Sequence, residues 1–428
     1  MAAPIDQVRI SSLAGTDDFS RLFVDPHRLS QTDLSGVRLL GCRVDTVRQL
    51  YRGSVSAELL EQIGEAVGLT TRFFGQEWHV GRVGRDSGYQ FKLQNNDLGM
   101  VVLLKNHNVK AHDVGPHLKF EVSPHLIDSR TPQALQTMMD ELAGQILTDC
   151  QPNQCAVHIA LDFQGWHPPA DLMARLHCRA RAQREFTGVE RIEFDERAAV
   201  YGRGKSFLFG SAGGLQLALY NKTDQARAID KLDYWQSVWR GLDNPLDPEC
   251  EHNYDPKVPV WRLELRYHHS VVDQFAQGSV NLQTGELIDT RTFAEISAHL
   301  DGLWRYGLTA FKLLSRPGVY DAFWTLLRED VTVMVQAESL SDEVQYKRYY
   351  KTSSGFTGKN VELFMGNFVS LLARERVGAK KAFDRLQEWE CWPVIRDHFA
   401  DKGMTERDVY KWLRDKLTER TVRWGRAV

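Results

Sequence analysis

The chain has 428 residues, which is enough for two or three domains of ordinary size with a substantial core. Hydrophobic residues make up 43% of it and charged residues 25%, which excludes a disordered or low-complexity protein. The formal net charge of -3 excludes a histone-like polycation but not a nucleic-acid enzyme, since DNA binding needs only a local basic surface.

Neither the cysteines nor the apolar segments point away from the cytoplasm. The six cysteines lack repeated CxxC pairs, which favours free thiols in a reducing compartment over a metal site. The N-terminus lacks an apolar core after a positive start, and no apolar run approaches the roughly 20 residues that a membrane helix needs. We therefore expect a soluble, cytoplasmic protein without membrane contact.

The first half of the chain alternates between strand and helix patterns. Residues 1–36 are polar and irregular and are expected to form an N-terminal arm. Asn95, Asn96, Asp97 and Gly99 supply the turn of a hairpin. The elements predicted here are a strand at 37–51, a helix at 55–67 with Ser54 or Ser56 as its N-cap, strands at 88–94, 100–105 and 118–122, and a helix at about 132–148.

The second half repeats this style without repeating the sequence. Its predicted elements are a strand at 156–163, a helix at 169–184, a hairpin of 206–209 and 215–222 around the loop 210–214, a strand at 258–268, and helices from about 292 onward, including 361–376, 379–390 and 405–421. This order predicts an α+β fold, with an antiparallel sheet in two related sheet-plus-helix halves and helices on one face. We predict a catalytic domain at 37–290 and a helical C-terminal region at 291–428.

Three second-half strands each present a one-sided polar row, because successive side chains on a strand point to opposite faces. The polar positions are His158 and Asp162 on the first strand, Gln216, Tyr220 and Lys222 on the second, and Arg262, Glu264, Arg266 and His268 on the third. Either the three strands are neighbours and the rows form one site in an open groove, or the rows are the solvated side of an antiparallel sheet.

The residue types on these rows suit metal-assisted attack on a phosphodiester. Carboxylates such as Asp162 and Glu264 are ligands that Mg²⁺ or Mn²⁺ accepts. Deprotonating a tyrosine with a pKa of about 10 at pH 7 costs about 4 kcal/mol, and a nearby cation lowers that cost. The product of attack by Tyr220 would be a phosphotyrosine ester and a free hydroxyl on the other DNA end.

The run GRGKSFLFGSAGGLQLALYNKTDQ at 202–225 resembles the central motif of the Rep_trans rolling-circle replication initiators, a family found on plasmids, filamentous phages and integrative elements. In that family a Gly-Ser hairpin precedes a strand that ends in Tyr-Asn/Asp-Lys, and the tyrosine nicks DNA. VHIALDF resembles the family strand that carries an acid, and WRLELRY resembles its Arg-x-Glu strand. The resemblance spans about 40–270 and implies a nucleophile at Tyr220, assisted by Lys222 and Arg262, and a metal at Asp162 and Glu264.

This resemblance implies a replication initiator that nicks one strand at an origin and leaves a 5′-phosphotyrosine link and a 3′-hydroxyl primer. It also implies a host helicase and polymerase as partners, and it suggests a homodimer, although no coiled-coil heptads support one. Several relatives carry a Glu shortly after Tyr-Asn-Lys, where this chain has Asp224 and Gln225. Asp45 and Glu121 are further metal-ligand candidates, or ordinary surface carboxylates.

Basic residues outside the rows are candidates for DNA contacts. The stretch YKRYYKTSSGFTGK at 346–359 combines cations with aromatic rings that stack on exposed bases, or it is a solvated loop between two helices. The residues predicted to contact DNA are Arg266, Lys205, Lys347, Arg348 and Lys351. A second cluster comprises Arg175, Arg179, Arg181 and Arg184, and the segment 392–417 is predicted to form a helical hairpin.

Two other classes of function stay open at this point. A non-catalytic origin-binding or regulatory protein could keep the initiator fold, and the Gln225 departure favours that alternative. An integrase or conjugative relaxase is disfavoured, because the chain has no His-hydrophobic-His motif and no evident Arg-His-Arg constellation.

Overall fold

The computed structural model describes residues 3–10, 21–180, 182–187, 205–241, 254–349 and 358–425. The chain divides into two compact units, Met1–Lys347 and Arg348–Val428. A large antiparallel sheet with helices forms the first unit, and helices form the second. The predicted α+β class is therefore confirmed.

The strands belong to the first unit, and the longest of them form one sheet. They are β1 Val8–Arg9, β2 Leu22–Val24, β3 Gln31–Asp33, β4 Arg38–Ser54, β5 Thr70–Phe73, β6 Gln76–Arg82, β7 Tyr89–Asn95, β8 Met100–Asn106, β9 Gly115–Val122, β10 Thr148–Gln164, β11 Leu176–His177, β12 Gln183–Thr187, β13 Lys205–Phe209, β14 Leu215–Asn221, β15 Trp261–Tyr267, β16 Val280–Asn281, β17 Lys312–Arg316, β18 Val319–Tyr320, β19 Val333–Met334 and β20 Val344–Gln345.

The helices lie in both units. They are α1 Ala57–Glu65, α2 Pro124–Asp128, α3 Pro132–Ile146, α4 Leu172–Arg175, α5 Lys222–Ala228, α6 Leu232–Arg240, α7 His269–Ala276, α8 Phe293–Ser297, α9 Leu300–Ala310, α10 Ala322–Asp330, α11 Gly358–Arg374, α12 Ala379–Gln387, α13 Trp392–Ala400 and α14 Glu406–Gly425. Within the described ranges, none of them has the length and apolar character that crossing a bilayer requires.

Two 17-residue strands, β4 and β10, pair antiparallel at the centre of the main sheet. The strand order is β12-β13-β14-β15-β10-β4-β9-β8-β7-β6-β5, and β19 adds to β4 in parallel. Outward from β4 the strands are β9, β8 and β7, and outward from β10 they are β15, β14 and β13. In both directions, the three strands are placed in the reverse of their chain order. The sheet consists of two halves that repeat one arrangement.

One face of the sheet carries the main core of the first unit. The alternate residues Val157, Ile159, Leu161 and Phe163 of β10 are completely buried, as the strand pattern predicts. Helices α3, α8, α9 and α10 contribute apolar side chains to the same cluster. The prediction of helices on one face needs an addition, because α6 lies against the other face through Trp235 and Trp239.

The helix predicted over 169–184 is wrong. Only Leu172–Arg175 is helical, β11 pairs with β17, and Gln183–Thr187 pairs with β13 at the edge of the main sheet. Strand pairing overrides the helix-forming composition of this segment. The predicted basic helix face therefore does not form: Arg175 pairs with Asp321, Arg184 lies on β12, and Arg181 lies outside the described residues.

The unit boundary lies at Lys347/Arg348, whereas the sequence analysis placed it at 290/291. Residues 292–347 belong to the first unit, and Phe293, Leu300 and Trp304 are buried in its main core. The described part of the predicted N-terminal arm also packs there: Phe23 is fully buried, and Asp25 forms an ion pair with Arg316 at 2.7 Å.

The second unit is a helical bundle with its own core. The predicted hairpin at 392–417 is present as α13 and α14, and Gly403 between them has a φ of +75°, which favours glycine. Thr405 accepts a hydrogen bond from the Asp408 amide, and Val409, Leu413 and Leu417 are buried. These three residues follow the 3–4 spacing of one helix face.

His117 makes the stability of the first half dependent on pH. Its buried ring donates from Nε2 to the carbonyls of Lys110 and Asp113 and accepts at Nδ1 from the Asn106 amide, which holds the loop 107–114. Burial lowers the pKa of His117 below its usual 6.5, so its stabilisation is complete above pH 6.5 and is lost as the pH falls from there.

We expect the midpoint temperature of thermal unfolding to decrease when the pH is lowered from 7 to 5. His117→Gln is expected to remove part of this pH dependence and to lower the stability at pH 7. His112→Gln is the control, because the His112 side chain is 77% exposed. A variant at His117 with the pH dependence of the unmodified protein would contradict this assignment.

Candidate functional site

The three polar rows of the second half lie on one sheet face, because β14, β15 and β10 are neighbours. The register places Tyr220 opposite Arg262, and Arg262 opposite Asp162. One step further along the strands, Glu264 lies between Ala218 and Ala160. Because Ala218 and Ala160 are small, they leave space on this face on either side of Glu264. The Glu264 carboxylate contacts side chains from both adjacent strands.

Glu264 joins three of the predicted site residues. It accepts a hydrogen bond from the Tyr220 hydroxyl at 3.2 Å, and its other oxygen lies 3.1 Å from His158 Nδ1. The Arg266 guanidinium donates to both carboxylate oxygens at 2.9 Å. Burial alone raises the pKa of Glu264, but Arg266 and His158 outweigh it and hold the pKa well below its usual range. Glu264 is therefore ionised at neutral pH.

Arg262 and Asp162 form a second buried cluster beside the first. Two nitrogens of Arg262 donate to the two oxygens of Asp162 at 2.6 and 2.7 Å, and the Trp239 indole donates to the same carboxylate at 2.9 Å. A third nitrogen of Arg262 donates to Asp45. Burial raises the pKa of Asp162, yet the charge of Arg262 and its hydrogen bonds lower it overall. The carboxylate of Asp162 is occupied by this bidentate contact.

Tyr220 is buried, whereas the sequence predicted that it would lie in an open groove. Its side chain is 7% exposed and packs with Leu208 and Ala218. Burial raises the pKa of Tyr220 well above 10, and the charge of Glu264 raises it further. The phenol is therefore neutral at pH 7, while its hydroxyl points at an acid on the next strand.

Two residues predicted on the rows leave the strands. Lys222 is the first residue of α5, and its ammonium lies 4.1 Å from the centre of the Trp235 ring. Burial, followed by the charge of Arg262, lowers the pKa of Lys222 to about 7. His268 is the N-cap of α7, where it accepts from the Ser270 amide at 3.3 Å. The polar rows on β14 and β15 are therefore each one residue shorter than predicted.

Two tryptophan rings that pack over the Arg262–Asp162 pair were not predicted from the sequence. Helix α6 carries Trp235 and Trp239 four residues apart, and the Arg262 guanidinium lies 4.3 Å from the Trp235 ring centre. With Arg43 and Asp128, these rings line a narrow cleft beside Asp162. The signal was present as the i, i+4 tryptophans of DYWQSVW, but only the fold shows what they cover.

Three side chains on this face have the geometry of a metal-ligand group: Asp45, His158 and Glu264. One ligand atom of each lies within 4.8 Å of the others, and the described residues hold no second group of this kind. An irregular register between His158 and Ile159 brings Asp45 of β4 onto the polar face. Of the two residues predicted to bind a metal, Glu264 is a member of this group and Asp162 is not; the other members are Asp45 and His158.

The other predicted candidates are dispersed. Arg266 is committed to Glu264, and Glu121 forms ion pairs with Arg48 at 3.3 Å and Lys119 at 3.1 Å. Lys347 is exposed at the end of the first unit, and Arg348 begins the second. The Lys205 side chain and the whole of Lys351 lie outside the described residues.

Asp224 and Gln225, which stand where several relatives carry a Glu shortly after Tyr-Asn-Lys, form no hydrogen bond with Tyr220 in the described structure. Asp224 pairs with Arg227 at 3.0 Å on α5, and Gln225 is buried in the same helix. Glu264, from a different strand, is the acid that contacts the phenol.

Comparison with known proteins gives one informative relationship. The chain is 51% identical over 433 residues to the uncharacterized protein ORF430 of Pseudomonas phage Pf1, and the match covers all of both chains. The chain belongs to the ORF430 family. No protein-family model matches it. This relationship places a relative of the chain in a phage.

Asp162 is expected to act mainly as the partner of a buried cation. Asp162→Asn leaves Arg262, which is 3% exposed, with a weaker partner, so we expect a loss of about 3 kcal/mol in the free energy of unfolding. Denaturant unfolding measures this. Asp224→Asn is the matched control, since its ion pair is largely exposed and is expected to contribute less than about 1 kcal/mol. Equal effects of the two substitutions would contradict the assignment.

Proposed function

We propose that the chain is a rolling-circle replication initiator of a phage, plasmid or integrated element, which nicks one DNA strand at an origin through Tyr220 and a divalent metal. The observation that supports this best is the hydrogen bond from Tyr220 to Glu264, a member of the three-residue metal-ligand group. The order of acid, tyrosine and Arg-x-Glu strands also follows the Rep_trans pattern, on three adjacent strands. A phage relative agrees with this proposal.

Asp45, His158 and Glu264 fit a divalent metal. Burial lowers the pKa of His158, so the imidazole is neutral, and Glu264 is ionised; both are the forms that bind a cation. One imidazole and two carboxylates suit Mn²⁺ better than Mg²⁺, which prefers oxygen ligands alone. Ligands about 2.1 Å from an ion lie within about 4.2 Å of one another, so a small contraction of the group suffices.

The proposed reaction is an exchange of one ester for another. The Tyr220 oxygen forms a bond to the phosphorus, the bond from phosphorus to the 3′-oxygen breaks, and that oxygen takes a proton from water and leaves as a hydroxyl, while the proton of the phenol passes through Glu264 to water. Glu264 is the first acceptor of the phenol proton, because it already accepts its hydrogen bond. A divalent ion in the group would lower the pKa of the phenol and neutralise charge on the phosphate.

The cations of the site have separate roles in this proposal. Arg262 lies opposite Tyr220 in the register, which puts a fixed positive charge beside the position of the phosphate. The Trp235 ring packs against that guanidinium, and the Lys222 ammonium lies against the same ring. Arg266 holds Glu264 through two hydrogen bonds and would give up part of that contact if the carboxylate bound an ion.

Tyr220→Phe is expected to abolish covalent attachment to DNA, because the ring and its packing stay while the nucleophile is lost. A supercoiled plasmid carrying the DNA that flanks the gene is incubated with the protein and Mn²⁺, and SDS-resistant adducts and relaxed circles are measured. Tyr51→Phe is the control, since that hydroxyl bonds Asp140 at 2.6 Å, outside the site.

An adduct that persists in Tyr220→Phe would remove Tyr220 from its role. Bound plasmid with neither relaxed circles nor adduct in the unmodified protein would favour the non-catalytic origin-binding alternative. The adduct, mapped by digestion, is expected on the 5′ side of the nick.

Removing one ligand is expected to weaken Mn²⁺ binding about tenfold or more, as measured by electron paramagnetic resonance of the free ion. Asp45→Asn is the first variant, because the Asp45 side chain is 19% exposed and its loss disturbs the fold least. Glu264→Gln is the second. Glu121→Gln is the control, a carboxylate of the same sheet face that is bound to Arg48 and Lys119. Equal Mn²⁺ affinity in all three variants would show that Asp45 and Glu264 do not bind the metal.

A further inference from the structure

The two halves of the main sheet correspond residue by residue through their pairing registers. Val47 of β4 pairs with Val122 of β9, and Val157 of β10 pairs with Tyr267 of β15. Met100 of β8 then pairs with Val122, as Leu215 of β14 pairs with Tyr267. Val47 and Val157 also pair with each other across the centre of the sheet. The halves are therefore related by an approximate twofold rotation.

Counting along these strands gives each site residue a counterpart in the first half. The pairs are Tyr220 with Lys105, Arg262 with His117, Glu264 with Lys119, Arg266 with Glu121, and His158 with Arg48. The acid and the imidazole of the metal-ligand group are thus replaced by cations. The first half has the same strand arrangement as the site, with cations at the positions of the acid and the imidazole.

Two of the counterparts are used within the first half itself. Lys105 donates to the carbonyl of Asn106 at 2.7 Å, and His117 holds the loop 107–114. This loop has eight residues, whereas the corresponding connection 222–260 in the second half carries α5 and α6. Arg48 and Lys119 are left facing the polar side of the sheet.

Cations outnumber acids on this part of the face. Glu121 lies 3.3 Å from Arg48 and 3.1 Å from Lys119, and Lys92 lies on the same face across Leu103. Burial raises the pKa of Glu121, but the charges of Arg48 and Lys119 lower it overall. Arg48 Nε, the atom that lies 3.3 Å from Glu121, is buried and makes this contact without hydrogen-bond geometry. We name the three cations that lie near Glu121 on this face the basic strip: Arg48, Lys119 and Lys92.

The basic strip continues directly from the candidate site. Glu264 contacts His158 at 3.1 Å, and Arg48 follows on the neighbouring strand β4, two residues from Thr46, which pairs with His158. The path crosses β15, β10, β4, β9, β8 and β7. Five steps at a strand spacing of about 4.8 Å give about 24 Å, a length of several nucleotides.

We propose that the basic strip binds the phosphates of a single DNA strand along the polar face of the sheet. That this strand leads to Tyr220 rests on the proposed function. A single strand is favoured over a duplex because the cations are recessed: the side chains of Arg48 and Lys119 are 18% and 9% exposed. A flexible backbone bends into such a recess, whereas a duplex with a persistence length of about 50 nm does not.

The test measures binding of a fluorescein-labelled 20-nucleotide oligothymidylate by anisotropy, in EDTA and over a range of NaCl concentrations. For Lys92→Gln/Lys119→Gln we expect affinity to fall roughly tenfold and the slope of log K against log salt to become less negative by about 1.4, or about 0.7 for each lost phosphate contact. Lys110→Gln/Lys257→Gln removes the same charge from exposed positions and is expected to change the slope by less than half as much.

An unchanged slope in the Lys92/Lys119 variant, or equal changes in both double variants, would overturn the proposal. If circular dichroism shows that the variant does not fold, Lys92→Gln alone decides the question by a slope change of about 0.7. A loss of duplex binding with unchanged oligothymidylate binding would also overturn it. Because this assay needs no metal and no adduct, oligothymidylate binding that depends on the strip without an adduct at Tyr220 would reject the nicking function and keep the strip.

Discussion

The arrangement of this molecule depends on two arginine-carboxylate pairs buried on one face of a sheet. Arg262 binds Asp162, and Arg266 binds Glu264, each through two nitrogens. A buried charge is tolerated only when it is paired and hydrogen-bonded, so the Arg262–Asp162 pair requires β15 and β10 to keep their register. Arg266 and Glu264 lie on one strand, and Glu264 contacts Tyr220 and His158 on the two neighbouring strands. A slip of one residue would turn Arg262 and Glu264 into the apolar core. The charges therefore fix which side chains meet the phenol of Tyr220.

These pairs also set the resting state of the proposed chemistry. Burial and the charge of Glu264 raise the pKa of Tyr220, so the phenol stays protonated without an added cation. The same carboxylate belongs to the metal-ligand group of Asp45, His158 and Glu264. A cation that engages Glu264 would remove one cause of the raised pKa and add an opposing charge. The proposed nucleophile, Tyr220, and the metal-ligand group are thus linked through one side chain.

The internal repeat explains why only one half carries this constellation. Both halves offer the same positions on equivalent strands, but a short loop is held by Lys105 and His117 in the first, and the connection 222–260 places Trp235 and Trp239 over Arg262 in the second. The cover removes water from Arg262 and Asp162, and low polarity strengthens their attraction. The first half keeps a more basic surface instead.

Local pattern determined a large part of this structure. Alternating side chains identified the strands, the Asn-Asn-Asp turn placed the β7–β8 hairpin, and the rows through Tyr220, Arg262 and Glu264 correctly shared a face, because strand periodicity and turn geometry are properties of neighbouring residues. Tertiary structure alone decided the rest. The irregular register that exposes Asp45, the use of Asp162 by Arg262, the strand in place of a helix at 183–187 and the boundary at Lys347 all depend on contacts between residues far apart in the chain, whose energies no local pattern contains.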